Sequence, residues 1–236
     1  MAADGATSDV DIDDRRTELD NRVRAGLAKV GFHGTSEQLV QFYNENVEDY
    51  NEMGALVNYQ KLGCHALIAA LSELVPNKEA RILDVAAGTG FAGKELRRFG
   101  YSNVDALEPA EKMVDQAKSE NIYNNYIIDT VTPDERTDVE DETYDAICIM
   151  GSVLKGHVTL ECLPELMRII KKGGVIVFNV AKKYLEGEHA DPQFQNGNHV
   201  TVFQKYVENG DWLKWDELEA PYRYSENCTI FRIVLA

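Results

Sequence analysis

The sequence predicts an α/β protein: a doubly wound, seven-stranded, mostly parallel sheet with an antiparallel hairpin at its carboxy terminus and a helical cap at its amino terminus. Three observations carry this. Between residues 81 and 180, short apolar runs of four to seven residues alternate with longer amphipathic segments, the rhythm of parallel strands joined by crossover helices. The first of these runs leads into Gly88-Thr89-Gly90-Phe91-Ala92-Gly93, a glycine-rich strand-to-helix turn. Near the end of the chain, 212–218 and 229–235 form two strand-like runs joined by 222–227, close enough to pair as a hairpin.

Taken in order, residues 1–20 hold seven acids and few large apolar side chains, so they are expected to be a disordered tail. A short helix is expected around 23–30, ending in the turn Gly31-Phe32-His33-Gly34. Thr35-Ser36-Glu37 then has the composition of a helix start, and from 36 to 74 apolar residues recur at helical spacing with Gly54 and Gly63 as breaks. Residues 21–76 thus make the cap, and Pro76-Asn77-Lys78-Glu79 separates it from a core over 80–236. Within that core the expected strands are 81–86, 104–108, 126–129, 144–150 and 175–180, and the expected helices 90–99, 111–119 and 159–171. Residues 21–236 form one domain, since no repeat or low-complexity linker divides them.

Composition narrows the function. The formal net charge of -16, from 40 acidic and 24 basic side chains, repels phosphate backbones and anionic membranes, so neither is an expected partner, while it leans toward a cationic or amine substrate. Cys64, Cys148, Cys162 and Cys228 show no C-x-x-C spacing, and no metal site or disulfide framework is expected. No basic leader precedes an apolar stretch and no run of eighteen apolar residues occurs, which points to a cytoplasmic protein.

The glycine turn poses a choice of cofactor. G-x-G-x-x-G with Glu108 ending the next strand suits the ribose of a dinucleotide, and equally that of S-adenosylmethionine. Asp84, inside an otherwise apolar strand, tilts the choice: an acid opposes a diphosphate and favours an ammonium and a sulfonium. Lys172-Gly173-Gly174 ahead of VIVFNV, and the terminal hairpin, tilt it the same way.

The series ILDVAAGTG, ALEPAEKM, YDAICIMGSV and KKGGVIVFNV resembles the motifs of class I S-adenosylmethionine-dependent methyltransferases, and more narrowly the Williams-Beuren syndrome region methyltransferase-like family, from Phe42-Tyr43 through Val180. The resemblance implies a Rossmann-like core in which Asp84, Gly88, Thr89 and Gly90 cradle the methionine part of the cofactor. It implies that Glu108 with Pro109 takes the ribose, that Met113 lies near the adenine, that Asp129 with Thr130 contacts the adenine amino group, and that Met150, Gly151 and Ser152 floor the reaction pocket. Family members carry Tyr-Asp-x-Trp-Ala-x-x-Tyr-Asp in a helix; here Tyr43 and Tyr50 remain, while Asn44, Asn46 and Asn51 replace the acids and the aromatic.

Each candidate also has a plainer reading. Asp84 either approaches the ligand or hydrogen-bonds the glycine loop. Tyr43, Tyr50 and Tyr59 either pack or point hydroxyls at the cofactor, Tyr50 foremost among them. His157, with Ser152 and Lys155 in the loop GSVLKGHVTL, is either a polar loop residue or a general base. The loop 189–199, Tyr222 and Tyr224 are candidates for a pocket wall, and Trp212 and Trp215 for hairpin packing. The expected function is methyl transfer to a small-molecule acceptor, an amine or another nitrogen or oxygen nucleophile, mainly by in-line positioning; the alternatives are an NAD-dependent oxidoreductase and a non-catalytic S-adenosylmethionine-binding protein.

Overall fold

A short apolar strand with no room for polar backbone exposure seeks pairing on both sides, and Ile82–Val85 (β1) finds it with Val104–Leu107 (β2) and Tyr144–Ile149 (β4), both parallel. The computed structural model describes residues 9–30, 34–224 and 226–236. Tyr126–Ile127 (β3) extends the sheet beyond β2, and Ile170–Ala181 (β5) lies beside β4. Trp212–Arg223 (β6) and Glu226–Leu235 (β7) close the other edge antiparallel, giving the order β3-β2-β1-β4-β5-β7-β6. The chain reverses direction across the sheet between β1 and β4, where an open α/β sheet leaves a crevice at its carboxyl edge.

Helices cover both faces. His65–Leu74 (α4), Phe91–Arg98 (α5) and Glu111–Ser119 (α6) contribute Leu67, Ile68, Leu71, Leu96 and Ala117 to one buried layer, and Leu163–Ile169 (α7) contributes Leu166 and Ile169 to the other. Lys182–Leu185 (α8) follows β5, and Asn198–Glu208 (α9) packs Phe203 against Trp212, Trp215 and Phe231. Among the described residues, no helix is long and apolar enough to cross a membrane.

The cap departs from expectation at its start. Residues 9–20 are helical, part of Asp9–Val30 (α1), rather than a tail; residues 1–8 and the expected turn at 31–33 lie outside the described residues. Leu19 and Val23 are buried, and Arg15 and Arg22 reach Glu52 and Asp49 of a partner helix at 2.7 Å. Half-exposed ion pairs contribute little, so the two apolar anchors decide the docking, a tertiary effect that composition does not reveal. Ser36–Glu45 (α2) starts with a capping box between Thr35 and Gln38, and Val47–Leu56 (α3) follows after Asn46. Neither expected glycine break occurs. Gly54 lies inside α3, where a Cβ would sit 2.6 Å from the Phe91 ring, and Gly63 lies in a π-turn over Gln60–Cys64, where a Cβ would meet Met150 and the Tyr222 carbonyl. Both glycines let the cap approach the core.

Candidate active site

Beyond β1 the chain turns through Ala86 at φ 55°, Gly88 at φ 56° and Gly90 at φ 92°, a left-handed bend that glycine tolerates without strain. Glu108, one residue past β2, holds this bend: its Oε2 accepts the Gly88 amide and its Oε1 the Ala110 amide, both at 2.9 Å. The glycines serve different purposes. A Cβ at Gly90 would strike Ile122, and one at Gly93 the Tyr123 ring, so these two allow the helix to pack. Gly88 alone of the three faces the cavity, where a Cβ would lie 3.6 Å from the Tyr50 hydroxyl and fill the space between them.

That cavity runs along the carboxyl edge of the sheet under the cap. Tyr43, Tyr50, Met53 and Tyr59 descend from the cap; Glu108, Pro109, Met113 and Thr130 line the cavity after β2 and β3, Met150, Gly151, Ser152 and His157 after β4, and Tyr184, Tyr222 and Arg223 after β5 and on the hairpin. Tyr43 Oη lies 2.8 Å from His157 Nε2, joining the cap to the loop after β4. Tyr59 Oη approaches the Met150 carbonyl and Tyr222 Oη, each at 3.5 Å. The Tyr50 hydroxyl has no hydrogen-bond partner among the described residues, and burial raises its pKa well above the ordinary phenol value, so it remains a donor facing the cavity. Burial raises Glu108 above the usual carboxylate range against the pull of its two amides. It lowers His157 below the ordinary imidazole value, against the Lys155 backbone and the Asp191 charge, which keeps the ring neutral near pH 7. His157 Nδ1 is buried without a hydrogen-bond partner.

Of the residues singled out in the sequence, Gly88, Glu108, Pro109, Met113, Thr130, Met150, Gly151, Ser152, Tyr50 and His157 meet at this cavity. Asp84 does not. Its side chain lies behind the turn, where Oδ2 accepts the Tyr123 hydroxyl at 2.6 Å and Oδ1 the Cys148 thiol at 3.6 Å, and burial pushes its pKa up to about 7. Thr89 donates its hydroxyl to Asn51 Oδ1 of α3 at 2.5 Å, tethering the cap. Asp129 lies on an outer groove with Ile128 and Lys112, its carboxylate accepting the Thr130 and Asp138 amides at 2.7 and 3.1 Å. Gly90 is sealed, as described. Arg223 and Tyr184 went unnoticed in the sequence; the one usable signal was Tyr222, a strand-end aromatic beside a cation.

The donor set fits S-adenosylmethionine better than a dinucleotide. A diphosphate asks for free amides or cations at the glycine turn, yet the Gly88 amide is engaged by Glu108, and Ile122 and Tyr123 cover Gly90 and Gly93. A carboxylate with remaining lone pairs suits a ribose diol, and aromatic faces from Tyr43, Tyr50 and Tyr59 suit a sulfonium.

Comparison with known proteins agrees. A family model described as a methyltransferase domain matches residues 82–174. The chain is 31% identical over 163 residues to human methyltransferase-like protein 27, covering 67% of this chain and 62% of that one. It thus spans about three fifths of that relative's length. A solved S-adenosylmethionine-dependent methyltransferase from Aquifex aeolicus superposes with a TM-score of 0.57 at 17% identity, over 82% of this chain and 98% of that one. The magnesium protoporphyrin IX methyltransferase of Synechocystis, solved with bound S-adenosylmethionine, superposes with a TM-score of 0.53 at 14% identity, over 77% of this chain and 82% of that one.

Proposed function

We propose that this chain, which belongs to the class I S-adenosylmethionine-dependent methyltransferases, transfers a methyl group to a nitrogen or oxygen nucleophile of a small molecule. The observation that carries the reading is Glu108: a buried carboxylate at the carboxyl end of β2, next to the strand at the switch point, pinned to the glycine turn and facing a cavity roofed by tyrosines. When bound, S-adenosylmethionine supplies a methyl group already activated by its sulfonium.

Glu108 would accept the ribose hydroxyls, Met113 and Thr130 would flank the base, and the Tyr50 hydroxyl would donate to the amino-acid end beside Gly88. Asp84 acts through the fold, holding Tyr123 against the glycine turn. The cap excludes water and confines the acceptor, and such positioning can supply roughly 7 to 11 kcal/mol in favourable cases. His157 serves as the proton acceptor when the acceptor must lose a proton. Its Nε2 meets the Tyr43 hydroxyl at 2.8 Å, which holds the ring at the cavity wall. The roof of cap side chains over the cavity supports a small acceptor. We take the protein to act in the cytosol and not on nucleic acid or membranes, because a net charge of -16 opposes both surfaces.

Titration calorimetry with S-adenosylmethionine, S-adenosylhomocysteine and NAD tests the cofactor: the first two bind and NAD does not. Binding of NAD alone would overturn the reading. Turnover across matched amines, phenols, thiols and carboxylates then tests catalysis, and cofactor binding without turnover of any of them would favour a binding protein.

A further inference from the structure

The chain is strongly acidic, but the cavity is not. Among the described residues its lining holds one carboxylate, Glu108, and one permanent cation, Arg223. In the strand order, Glu108 follows β2 and Arg223 ends β6, with β1, β4, β5 and β7 between them. The antiparallel register sets Arg223 opposite Glu226 at the hairpin turn, on the same edge as the carboxyl ends of the parallel strands. Five strand spacings of about 4.8 Å put the two groups on the order of 20 Å apart along the edge, shortened by twist. The ribose end of the cavity and the Arg223 end are therefore separate subsites, with Gly151 and the Tyr59–Tyr222 pair between them.

Arg223 is held along one edge. Its Nε donates to Glu226 at 2.7 Å, and Glu226 also accepts from Lys183 at 3.1 Å. Among the described residues, neither Nη of Arg223 has a hydrogen-bond partner, although the side chain is only 16% exposed. A guanidinium fixed through Nε presents its Nη pair as a planar fork, the geometry that matches a carboxylate. Val57, whose carbonyl accepts the Tyr224 amide, and Tyr184 and Tyr222 give the cavity apolar and aromatic walls beside it.

Resting on the methyltransferase reading, we propose that Arg223 anchors the acceptor, and that the acceptor is an organic acid with an apolar body whose carboxylate docks on the Nη fork. This reverses the inference from net charge: the cavity selects an anion, with Glu108 occupied by the cofactor's sugar. The group that receives the methyl is a second nucleophile of the same molecule or the anchored carboxylate itself. In the second case a carbon–oxygen bond forms as the carbon–sulfur bond breaks, and carboxylate plus sulfonium become neutral ester plus neutral thioether.

The test uses the full chain with S-adenosylhomocysteine at saturation, its binding measured first, so that failure of the cofactor reading shows before any acceptor is added. Phenylacetate and octanoate are then titrated against their primary amides, against phenethylamine and octylamine, and against phenyl phosphate. The expected result is that each acid binds about tenfold or more tighter than its amide, the scale of a charged hydrogen bond. Arg223→Gln abolishes that preference while leaving the affinity for S-adenosylhomocysteine unchanged, and Arg223→Lys restores part of it. Equal binding of acid and amide, tighter binding of the amines or of phenyl phosphate, or no binding of either acid overturns the proposal. So does an equal loss of S-adenosylhomocysteine affinity in Arg223→Gln, which would give Arg223 to the cofactor's own carboxylate. The comparison of acid with amide in the unaltered protein needs no variant to fold.

Discussion

Asp84→Asn should stabilise this protein above neutral pH, and the effect can be sized from the structure. Asp84 is fully buried on β1, and burial raises its pKa from the ordinary aspartate value of 3.8 to about 7, despite hydrogen bonds from Tyr123 and Cys148. A carboxyl whose folded pKa is raised binds a proton more tightly in the folded state. Its contribution is therefore intact below the unfolded pKa and lost as pH rises through about 7. One pKa unit is about 1.4 kcal/mol, so between pH 5 and pH 7 the folded protein loses about 3 kcal/mol relative to a variant that cannot ionise there. Asparagine keeps an acceptor for the Tyr123 hydroxyl and carries no charge. Urea unfolding of both proteins at pH 5, 6, 7 and 8, followed by circular dichroism, isolates this group, because all other titrations cancel in the difference. The advantage of Asp84→Asn should grow by about 1.4 kcal/mol per pH unit up to about 7 and level off above it. A difference that stays flat, or that grows toward low pH, refutes the account of Asp84 as a buried, structurally placed acid.

Glu108→Gln leaves an amide nitrogen facing either the Gly88 or the Ala110 amide, which costs roughly 1–3 kcal/mol of stability and weakens S-adenosylhomocysteine binding by about tenfold to a hundredfold; unchanged affinity by calorimetry would remove Glu108 from the ribose. Gly151→Ala places a Cβ against the Tyr59 hydroxyl and 2.6 Å from that of Tyr222, at φ 68°, so kcat for any acceptor should fall while the melting temperature drops by a few degrees. For phenol or amine acceptors that must lose a proton, log kcat/KM should rise with pH through a value below the ordinary imidazole pKa, since burial lowers His157, and plateau by pH 7. His157→Gln should abolish that rise and spare acceptors that are already ionised. A profile that His157→Gln leaves unaltered assigns the base elsewhere.

What could be read from the sequence follows from what is local. β1, β2 and α6 lie within a residue or two of expectation because buried parallel strands and amphipathic helices announce themselves by periodicity. α9 did not, since NHVTVFQKYVE is rich in β-branched residues and becomes helical by packing Phe203 into the aromatic cluster. The hairpin strands run longer than expected, β6 continuing through Glu219, Ala220 and Pro221 where polar residues and a proline obscure the alternation. In the site, Gly88 and Glu108 were legible because a strand end next to a turn fixes where a side chain must go. Arg223 was not, because only the antiparallel closure of the sheet brings the hairpin to the carboxyl edge. Asp84 was legible as unusual but not as hidden: the strand alternation that turns it away from the cavity is decided by which face Tyr123 and Cys148 occupy.

The cap helices show how such a site is kept in register. Apolar packing of α2 and α3 over the cavity is non-directional, so the polar ties fix the roof, and they reach separate core segments: Asn44 Oδ1 accepts the Lys112 amide at 2.9 Å, Asn51 Oδ1 accepts the Thr89 hydroxyl at 2.5 Å, and Tyr43 pairs with His157. Two of these ties use asparagines. The amide oxygen keeps the acceptor while adding no charge to the end of the cavity that already holds Glu108. Thr89→Val removes one tie without altering the backbone bend and strands the Asn51 oxygen, a loss of about 0.5–1.5 kcal/mol concentrated in the roof. Amide hydrogen exchange over residues 36–56 should accelerate by about twofold to tenfold while exchange in β1 and β4 stays unchanged, and S-adenosylhomocysteine should dissociate faster by a similar factor. Unchanged protection of 36–56 would mean that apolar contact alone seats the cap, and that the asparagines have no part in closing it.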